Sequence, residues 1–477
     1  MKEQDENRSN AFAAIDKISE VYFIGIGGIG MSAIARFFRA KGIKVSGYDK
    51  TPTPLTKEME AGGIAVHYED NPDKAPKEAD LVVYTPAVPK DHAELAYYRQ
   101  HGYRVVKRSD VLQLITESSF NICIAGTHGK TTISTMTAHL LRDSGYGGTA
   151  FLGGISVNYG TNFWMTDEAH KNVCVVEADE YDRSFLKLSP DIAVISAMDP
   201  DHLDIYGTAE AVEQAFIDFS GKIKPGGLLI SKLGLTRGKE LTATRRLTYS
   251  LQDHGADAYA ANIRMSNGSY EFDVVAGTNR LENVQLNMGG LHNIENAVAA
   301  IAVASSLGID NDRIKAAVAS FRGVKRRFEY IIKTDGLVFI DDYAHHPEEL
   351  RALISGAKLL FPEKKCTVIF QPHLYTRTRD LADGFAEVLD MADEAILLPI
   401  YPARELPIEG VSSDMIIGKM KKKKEGQAKA ITKEELIVWI RNEYKNEKNE
   451  QGSVLITAGA GDIDTLVNPL KELLIQL

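Results

Sequence analysis

The chain has 477 residues and a formal net charge of −10, with 44% hydrophobic and 25% charged residues. This composition is typical of globular proteins and excludes a largely disordered or fibrous protein. The negative charge argues against coating of duplex nucleic acid or of an anionic membrane surface. The length predicts roughly three domains. We expect a cytoplasmic protein, because the three cysteines are too few for a disulfide framework and no apolar run approaches the roughly 18 residues that span a bilayer.

A glycine-rich turn follows the first predicted strand. The apolar segment Val21–Ile24 leads into the turn Gly25–Gly30, and Met31–Ala40 has the pattern of a helix. A second strand ends at Asp49, about where a Rossmann unit places the acid that contacts a ribose. A glycine turn at a helix N-terminus can hold the diphosphate of a dinucleotide or of a nucleotide sugar. The first domain therefore favours a diphosphate site, and a dehydrogenase is one alternative.

A second glycine turn has the sequence Gly-Thr-His-Gly-Lys-Thr-Thr and spans Gly126–Thr132. It follows the apolar strand Ile122–Ala125 and precedes a helix predicted over Ile133–Leu141. Its backbone N–H groups, the helix N-terminus and a lysine suit a nucleoside triphosphate, and a threonine hydroxyl can ligate Mg²⁺. The spacing departs from G-x-x-x-x-G-K-S/T, because Ile124 stands where the outer glycine would fall. The predicted ATP-binding residues of this phosphate loop are Gly126, Thr127, His128, Gly129, Lys130, Thr131 and Thr132.

Acidic side chains follow the next two strands of the central domain. The strand Asn172–Val176 runs into Glu177–Asp182, and the strand Ile192–Ser196 delivers Asp199 and His202. Carboxylates at the carboxyl end of a buried strand, downstream of a phosphate loop, are where such proteins hold Mg²⁺. A histidine beside carboxylates can ligate a metal or contact phosphate. The alternatives are an acidic solvated loop and a structural histidine.

A third domain is predicted to begin near Gly323. Before it, residues 233–285 favour β structure, and a helix is predicted over Ala297–Leu307, where nearby amides either face an adenine edge or cap the helix. The basic group Lys325–Arg327 is suited to reach a bound phosphate. Four strands that each release polar residues at the carboxyl end predict a parallel α/β sheet with a site along one edge. These strands are Leu337–Ile340, Cys366–Phe370, Ala395–Leu398 and Val454–Ile456.

Three α/β domains with Gly126–Thr132 in the middle one resemble the Mur ligase family, ATP-dependent enzymes that build the peptide of bacterial cell-wall precursors. The resemblance covers nearly the whole chain and is most specific to the branch that adds L-alanine. It implies a Rossmann-like domain over residues 1–119, a P-loop ATPase-like domain over 120–322 and a Rossmann-like α/β domain over 323–477. The motifs that carry it are Gly25–Ser32, Glu177–Glu180, His292-Asn293 with Asn296, Gly323–Glu329, Asp342–Pro347, Gln371–His373 and Gly459–Asp462.

The resemblance implies a ligase that joins L-alanine to the lactyl carboxylate of UDP-N-acetylmuramic acid. In that reaction the carboxylate takes the γ-phosphoryl group of ATP, and the amine of L-alanine attacks the resulting acyl phosphate, with Mg²⁺ as the metal cofactor. The expected partners are these three small molecules, without nucleic acid or membrane, and the chain is expected to be a monomer or homodimer. The alternatives are a related ligase that attaches a recycled peptide to the same nucleotide sugar, a dinucleotide-dependent oxidoreductase and a non-catalytic nucleotide switch.

The resemblance also assigns roles on the ATP side. Asn293 and Asn296 are expected to face adenine, Asp342 the ribose of ATP, and Arg327 the phosphates. The expected metal ligands are Thr131, Glu177 and His202, and the expected catalytic side chains are Lys130, His202, Arg327 and His345.

On the acceptor side, the resemblance implies that the first glycine turn binds the diphosphate of the nucleotide sugar and that His128 points to its muramyl end. Arg377 is expected to grip the carboxylate of alanine in a bidentate manner, which a lysine cannot do, with Tyr343 and His345 near the amine. Two positions depart from the family pattern: Asp199 stands where glutamate is common, and Leu374 stands where arginine is usual. The residues expected to bind the nucleotide sugar are Gly27, Gly28, Ile29, Gly30, Asp49 and His128.

Overall fold

The computed structural model describes residues 15, 17–89, 91–166, 172–266, 268–277, 279–403, 405–421, 426–444 and 451–476. These residues form three β-sheets flanked by helices. The chain divides into two compact units, one of residues 1–261, 273–284 and 295–321, and one of residues 262–272, 285–294 and 322–477. Within the described part of the chain, no helix has the length and apolar character needed to cross a membrane. The domain boundaries at residues 119 and 322 stay predictions.

The first sheet is parallel and doubly wound. Its strands are β1 (Glu20–Ile24), β2 (Lys44–Tyr48), β3 (Ala65–His67), β4 (Leu81–Tyr84) and β5 (Val105–Lys107), and its helices are α1 (Ile29–Ala40), α2 (Pro54–Ala61), α3 (Ala93–Gln100) and α4 (Arg108–Glu117). The strand order is β3-β2-β1-β4-β5. Every residue of β1 is buried, because helices cover both faces of a parallel sheet and its central strands are therefore apolar throughout. The first glycine turn follows β1 and leads into α1, as the sequence predicts.

The second sheet has ten strands, and the phosphate loop lies at its centre. Its strands are β6 (Phe120–Ala125), β7 (Thr149–Ser156), β8 (Thr161–Trp164), β9 (Val173–Glu177), β10 (Ile192–Ile195), β11 (Leu228–Lys232), β12 (Arg245–Ser250), β13 (Ala258–Ser266), β14 (Ser269–Ala276) and β15 (Asn279–Leu286), and its helices are α5 (Lys130–Asp143), α6 (Leu203–Tyr206), α7 (Ala209–Ser220), α8 (Leu291–Ser306) and α9 (Asn311–Ser320). The order is β15-β14-β13-β12-β11-β10-β6-β9-β7-β8. Because β6 pairs in parallel with both β9 and β10, the segments after these three strands emerge at the same edge.

The first two sheets share a hydrophobic core within one unit. Helix α1 presents Phe37 to the second sheet, where its ring centroid lies 5.6 Å from that of Phe151 and 6.3 Å from that of Phe163. Amphipathic helices bury one apolar stripe, and here the stripe of α1 also contacts β7 and β8. The glycine turn at the start of α1 is therefore held firmly against the second sheet.

Asn162 is a buried polar link in this contact. Its Nδ2 donates to the carbonyl oxygen of Ile29 at 2.5 Å and to Ser32 Oγ at 3.0 Å. We expect Asn162→Ala to lower the free energy of unfolding by about 1–3 kcal/mol, because the carbonyl oxygen of Ile29 and the hydroxyl of Ser32 lose a hydrogen-bond donor. Chemical denaturation followed by circular dichroism measures this, with Asn172→Ala as a control, since that side chain is exposed and donates to one carbonyl only. Equal losses in the two variants would contradict the assignment of a buried link.

The third sheet lies in the second unit and is parallel except at one edge. Its strands are β16 (Glu329–Lys333), β17 (Leu337–Asp342), β18 (Lys365–Phe370), β19 (Glu394–Leu397), β20 (Ala428–Ala430) and β21 (Ser453–Ala458), and its helices are α10 (Pro347–Leu360), α11 (Tyr375–Leu389), α12 (Ser413–Lys419), α13 (Lys433–Asn442) and α14 (Asp464–Ile475). The order is β16-β17-β21-β18-β19-β20, and β16 runs antiparallel to β17. The four predicted strands are present and form its parallel centre, whereas the two edge strands were not predicted.

Candidate active site

The phosphate loop turns tightly between β6 and α5. Gly126 has φ of +136° and Gly129 has φ of +83°, which only glycine adopts without strain. A Cβ built on Gly126 would overlap Ser196 Oγ, so the close approach of the next strand also requires glycine. Helix α5 begins at Lys130, directly after Gly129, and its first N–H groups have no partner within the helix. The loop therefore has the geometry of an anion site at a helix N-terminus.

The segment after β10 supports this loop from one side. The Ser196 hydroxyl donates to the carbonyl oxygens of Ala125 and His128, and the Asp199 N–H donates to Thr127 Oγ1 at 3.2 Å. The His128 side chain is exposed. These contacts fix the backbone of the loop. The imidazole of His128 is accessible to a ligand because the side chain is exposed.

Lys130 is held by a buried carboxylate that the sequence analysis did not single out. Its Nζ donates to the carbonyl oxygen of Gly126 at 2.6 Å and to Glu180 Oε1 at 2.7 Å. Glu180 is 1% exposed, and its buried Oε2 has no hydrogen-bond partner among the residues that the structure describes. Burial raises the pKa of Glu180, and the ammonium of Lys130 opposes that rise. The only sequence signal for this contact was the position of Glu180 in the acidic run after β9.

Thr131 and Glu177, two of the three predicted metal ligands, lie together. The Thr131 hydroxyl donates to Glu177 Oε1 at 3.0 Å, and Glu177 Oε2 accepts from the Gly153 N–H at 3.1 Å and from the Ser134 hydroxyl at 3.3 Å. A Cβ built on Gly153 would overlap the Glu177 carboxylate. A hydroxyl and an oriented carboxylate beside the phosphate loop are hard oxygen ligands of the kind that Mg²⁺ prefers. The pair therefore fits a magnesium ion.

His202, the third predicted metal ligand, has other neighbours. Its Nε2 lies 3.6 Å from Asp201 Oδ2, and its ring packs edge-on against Tyr181 with centroids 4.9 Å apart. Its backbone is left-handed, with φ of +53°. Within the described ranges, no hydrogen bond or ion pair joins His202 to Thr131 or Glu177. Its role at a metal stays a prediction.

Helix α8 begins at Leu291, so the predicted start at Ala297 was wrong, and both asparagines lie in the first turns of the helix. The Asn293 Nδ2 donates to the carbonyl oxygen of Gly289 at 2.6 Å. Asn296 lies against the phosphate loop, since a Cβ built on Gly129 would be 2.8 Å from Asn296 Oδ1. Asn293 thus bonds to the backbone just before the helix, and Asn296 lies beside the phosphate loop. The contact of both side chains with adenine stays a prediction.

Asp49 contacts the first glycine turn, and the binding of a nucleotide by both stays a prediction. The Gly27 N–H donates to Asp49 Oδ2 at 2.7 Å. A Cβ built on Gly27 would meet that carboxylate, which explains the glycine. Gly28 precedes α1 and places no side chain over its N-terminus, so the N–H groups of Ile29 and Gly30 face outward from an uncapped helix start. The turn is therefore a candidate diphosphate site.

In the second unit, Asp342 fixes the turn that carries Arg327. Its Oδ2 accepts from the Phe328 N–H at 2.6 Å and its Oδ1 from the Ala344 N–H at 2.7 Å. Burial raises the pKa of Asp342 to about 6, and these hydrogen bonds oppose the rise. Arg326 and Phe328, on either side of Arg327, have φ of +60° and +47°. Such strained backbone persists where the surroundings over-determine it, so Asp342 fixes the backbone beside the exposed Arg327. The contact of Asp342 with the ribose of ATP stays a prediction.

The structure brings Tyr343, His345 and Arg377 into one cluster with His373, and the contact of this cluster with alanine stays a prediction. The Arg377 Nη1 donates to His373 Nδ1 at 3.4 Å, and the ring centroid of His345 lies 6.2 Å from that of His373 and 5.2 Å from that of Tyr343. Burial lowers the pKa of His345, the charge of Glu349 and the hydrogen bond to Tyr343 oppose this, and the charge of Arg377 adds to the lowering. Leu374, the departure from the family pattern, has a left-handed φ of +70° immediately before α11.

His373 gives this cluster a pH dependence. Burial, together with Arg377 and His345, lowers its pKa to about 4. The unfolded chain therefore binds more protons than the folded protein between pH 6.5 and pH 4, so the stabilisation is complete above pH 6.5 and is lost as the pH falls through about 4. We expect the melting temperature of the wild type, relative to that of His373→Gln, to fall by about 2–4 °C on acidification across this window. Calorimetry at several pH values checks this, and a constant difference would contradict it.

Three family models match the chain in succession. The model described as Mur ligase family, catalytic domain, matches residues 20–119, the Mur ligase middle domain matches residues 124–304, and the Mur ligase, glutamate ligase domain, matches residues 326–461. The chain belongs to the Mur ligase family. The predicted family resemblance and three-domain α/β fold class are confirmed, and the protein is an ATP-dependent ligase.

Individual relatives cover almost the full length of this Mur ligase. The UDP-N-acetylmuramate–L-alanine ligase of Parabacteroides distasonis is 49% identical over 96% of this chain and 98% of its own. That of Phocaeicola vulgatus is 48% identical over 96% and 99%. Among solved structures, the UDP-N-acetylmuramate-alanine ligase of Thermotoga maritima superposes with a TM-score of 0.80 at 29% identity, over 96% of this chain and 99% of that one. A murein peptide ligase of Psychrobacter arcticus has a TM-score of 0.65 at 23% identity, over 96% and 99%, and shares the fold.

Proposed function

We propose that the protein joins L-alanine to the lactyl carboxylate of UDP-N-acetylmuramic acid, with conversion of ATP to ADP and phosphate. This is a step in making the peptidoglycan precursor. The observation that carries the proposal is the near full-length identity of 46–49% with seven relatives that are named as ligases of this kind. The phosphate loop and the Arg377 cluster provide the two kinds of site that this reaction needs.

ATP and Mg²⁺ belong at the phosphate loop in this proposal. Lys130 and the start of α5 are directed to the triphosphate, and Thr131 and Glu177 supply oxygen ligands to the metal. When bound, Mg²⁺ neutralises the negative charge of the phosphates. The chain's own contribution is to keep these groups in place in advance, through the contacts of Glu177 with Gly153 and Ser134.

The first chemical step brings a carboxylate anion to a phosphate anion. The lactyl carboxylate oxygen bonds to the γ-phosphorus as the bond to the bridging oxygen breaks, and ADP leaves. Positive groups must balance the charge in this transition state. Lys130 and Arg327 have that role in the proposal, and the exposed His128 orients the muramyl end of the acceptor.

The second step needs an unprotonated amine. In the Arg377 cluster, the guanidinium grips the carboxylate of alanine, and His345 accepts the proton that the amine releases on attack. The His345 Nδ1 lies 2.9 Å from the carbonyl oxygen of Tyr343, so Nδ1 donates to that oxygen and Nε2 keeps its lone pair. The lowered pKa of His345 favours this neutral form at pH 7. Attack expels inorganic phosphate and forms the amide bond.

A related ligase that attaches a recycled peptide is the second candidate, and the comparisons favour it less. The murein peptide ligase of Psychrobacter arcticus is 23% identical to this chain, which supports a common fold only. The grouping of Arg377, His373 and His345 also suits a single amino acid. Arg377 Nη1 lies 3.4 Å from His373 Nδ1, and the two histidine ring centroids are 6.2 Å apart, so the groups can contact one small substrate together.

A phosphate-release assay with a panel of acceptors tests this proposal. With ATP, Mg²⁺ and UDP-N-acetylmuramic acid present, we expect phosphate release when L-alanine is added, weaker release with glycine or L-serine, and none without an amino acid. The recycled tripeptide serves as the competing acceptor. Turnover with the tripeptide but not with free L-alanine would overturn the assignment.

A further inference from the structure

Arg108 lies at the first glycine turn, although about 80 residues of sequence separate them. It begins helix α4, directly after β5. A Cβ built on Gly30 would overlap Arg108 Nη1 and lie 3.2 Å from Arg108 Cζ, so the guanidinium rests on the open face of that glycine. Gly30 belongs to the first turn of α1, whose N–H groups have no partner within the helix. A cation and a helix N-terminus therefore meet at one point in the first unit.

Arg108 makes a long ion pair that holds its guanidinium weakly. Among the described residues, its ion pair is with Asp179, at 3.6 Å between Arg108 Nη2 and Asp179 Oδ2, and the two side chains are 25% and 40% exposed. Exposed pairs of this length contribute little to stability. A guanidinium has five N–H donors in a fixed fork, so Arg108 keeps donors for a further anion. A purely structural role does not account for its position.

Glu180, the residue after Asp179, also forms an ion pair with a basic side chain. Glu180 holds Lys130 at the phosphate loop, while Asp179 holds Arg108 at the first glycine turn. Two consecutive carboxylates after β9 thus each hold one basic residue at one of the two glycine turns. The Glu180 pair is short and buried, whereas the Asp179 pair is longer and partly exposed, so a phosphate can compete for Arg108 more readily than for Lys130.

We propose that Arg108, whose guanidinium lies beside Gly30, binds the diphosphate of the nucleotide sugar. This inference rests on the proposed function, in which the first glycine turn receives UDP-N-acetylmuramic acid. Guanidinium groups bind phosphate oxygens in a bidentate manner, whereas an ammonium acts as a point charge. Arg108 therefore adds a directional side-chain contact to the backbone N–H groups of the turn.

Direct binding of UDP to the whole protein tests the inference without catalysis. Calorimetric titration compares the wild type with Arg108→Met, Arg108→Lys and the control Arg104→Met. Arg104 is exposed and precedes β5, at the opposite end of the strand, so the control removes the same charge from the same domain. We expect the dissociation constant of UDP to rise about 10- to 100-fold in Arg108→Met, to rise less in Arg108→Lys, and to stay within about twofold in Arg104→Met.

Steady-state kinetics separate this role from a general loss of structure. The KM for UDP-N-acetylmuramic acid should rise in Arg108→Met while the KM for ATP stays unchanged, and the melting temperature without ligand should equal that of Arg104→Met. Equal UDP affinity in Arg108→Met and Arg104→Met, with normal turnover by the wild type, would overturn the inference and leave the proposed function standing. Failure of the wild type to bind UDP or to use the nucleotide sugar would overturn both.

Discussion

Replacement of Lys130 by alanine is expected to lower the rate of phosphate release by about 10³-fold or more. A cation placed at the developing phosphoryl charge, such as an arginine finger, contributes about 10³–10⁵ in rate. Lys130 is fixed by two short hydrogen bonds, one to Gly126 in the loop and one to Glu180. The attack joins two anions, so the loss of the cation acts on the transition state. The affinity for L-alanine should be unaffected, because that substrate belongs to another cluster.

A coupled assay of phosphate release under saturating substrates measures this effect. Lys44→Ala is a matched control, because Lys44 is 72% exposed, pairs with Glu20 and lies at the first residue of β2. Its rate should remain within about twofold of the wild type, as for surface substitutions in general. A Lys130→Ala variant that retained a tenth of wild-type activity would show that the phosphate loop is not the site of phosphoryl transfer.

Replacement of Arg377 by methionine is expected to raise the KM for L-alanine by about 10²-fold, with a smaller change in kcat. A hydrogen-bonded charged contact contributes about 1.5–3 kcal/mol, and a bidentate pair provides two such bonds. Burial lowers the pKa of Arg377, which indicates a site where a carboxylate would meet a poorly solvated cation. The KM for ATP should not change.

Arg379→Met is the matched control for this substitution. Arg379 lies two residues further along α11, is 51% exposed and pairs with Asp380. Initial rates over a range of L-alanine concentrations should leave its KM near that of the wild type. If Arg377→Met kept the affinity for L-alanine, or if both variants lost it equally, the amino-acid site would lie elsewhere.

The two glycine turns and the Thr131–Glu177 pair were predictable because they depend on local and topological rules. A strand, a turn that needs positive φ and a helix start are adjacent in sequence. Parallel strands place their carboxyl ends at one edge, so the ends of β6 and β9 had to bring Thr131 close to Glu177. The same rule predicted a site along one edge of the third sheet, whereas the pairing of His345 with Arg377 was implied by the family resemblance.

Other contacts depend on packing that no sequence pattern encodes. Arg108 reaches Gly30, and Asp342 binds two backbone N–H groups, because neighbouring elements settle at particular angles and distances. Glu180 appeared to be one of several acidic residues in a loop, and its burial against Lys130 decides its role. The edge strands β16 and β20 are short and contribute few residues to the core, so their apolar pattern is weak. The first turn of α8 was missed because two glycines, Gly289 and Gly290, directly precede it and it contains Asn293, and both residue types are typical of loops.

Transfer of an oxygen atom from the lactyl carboxylate to phosphate shows whether the reaction passes through an acyl phosphate. The protein is incubated with ATP, L-alanine and UDP-N-acetylmuramic acid in which both oxygens of the lactyl carboxylate are replaced by a heavy oxygen isotope. Mass spectrometry then measures the heavy oxygen in each product. We expect one heavy oxygen in the released phosphate and one in the new amide carbonyl. Phosphate without label, or an amide product that retains no heavy oxygen, would contradict it.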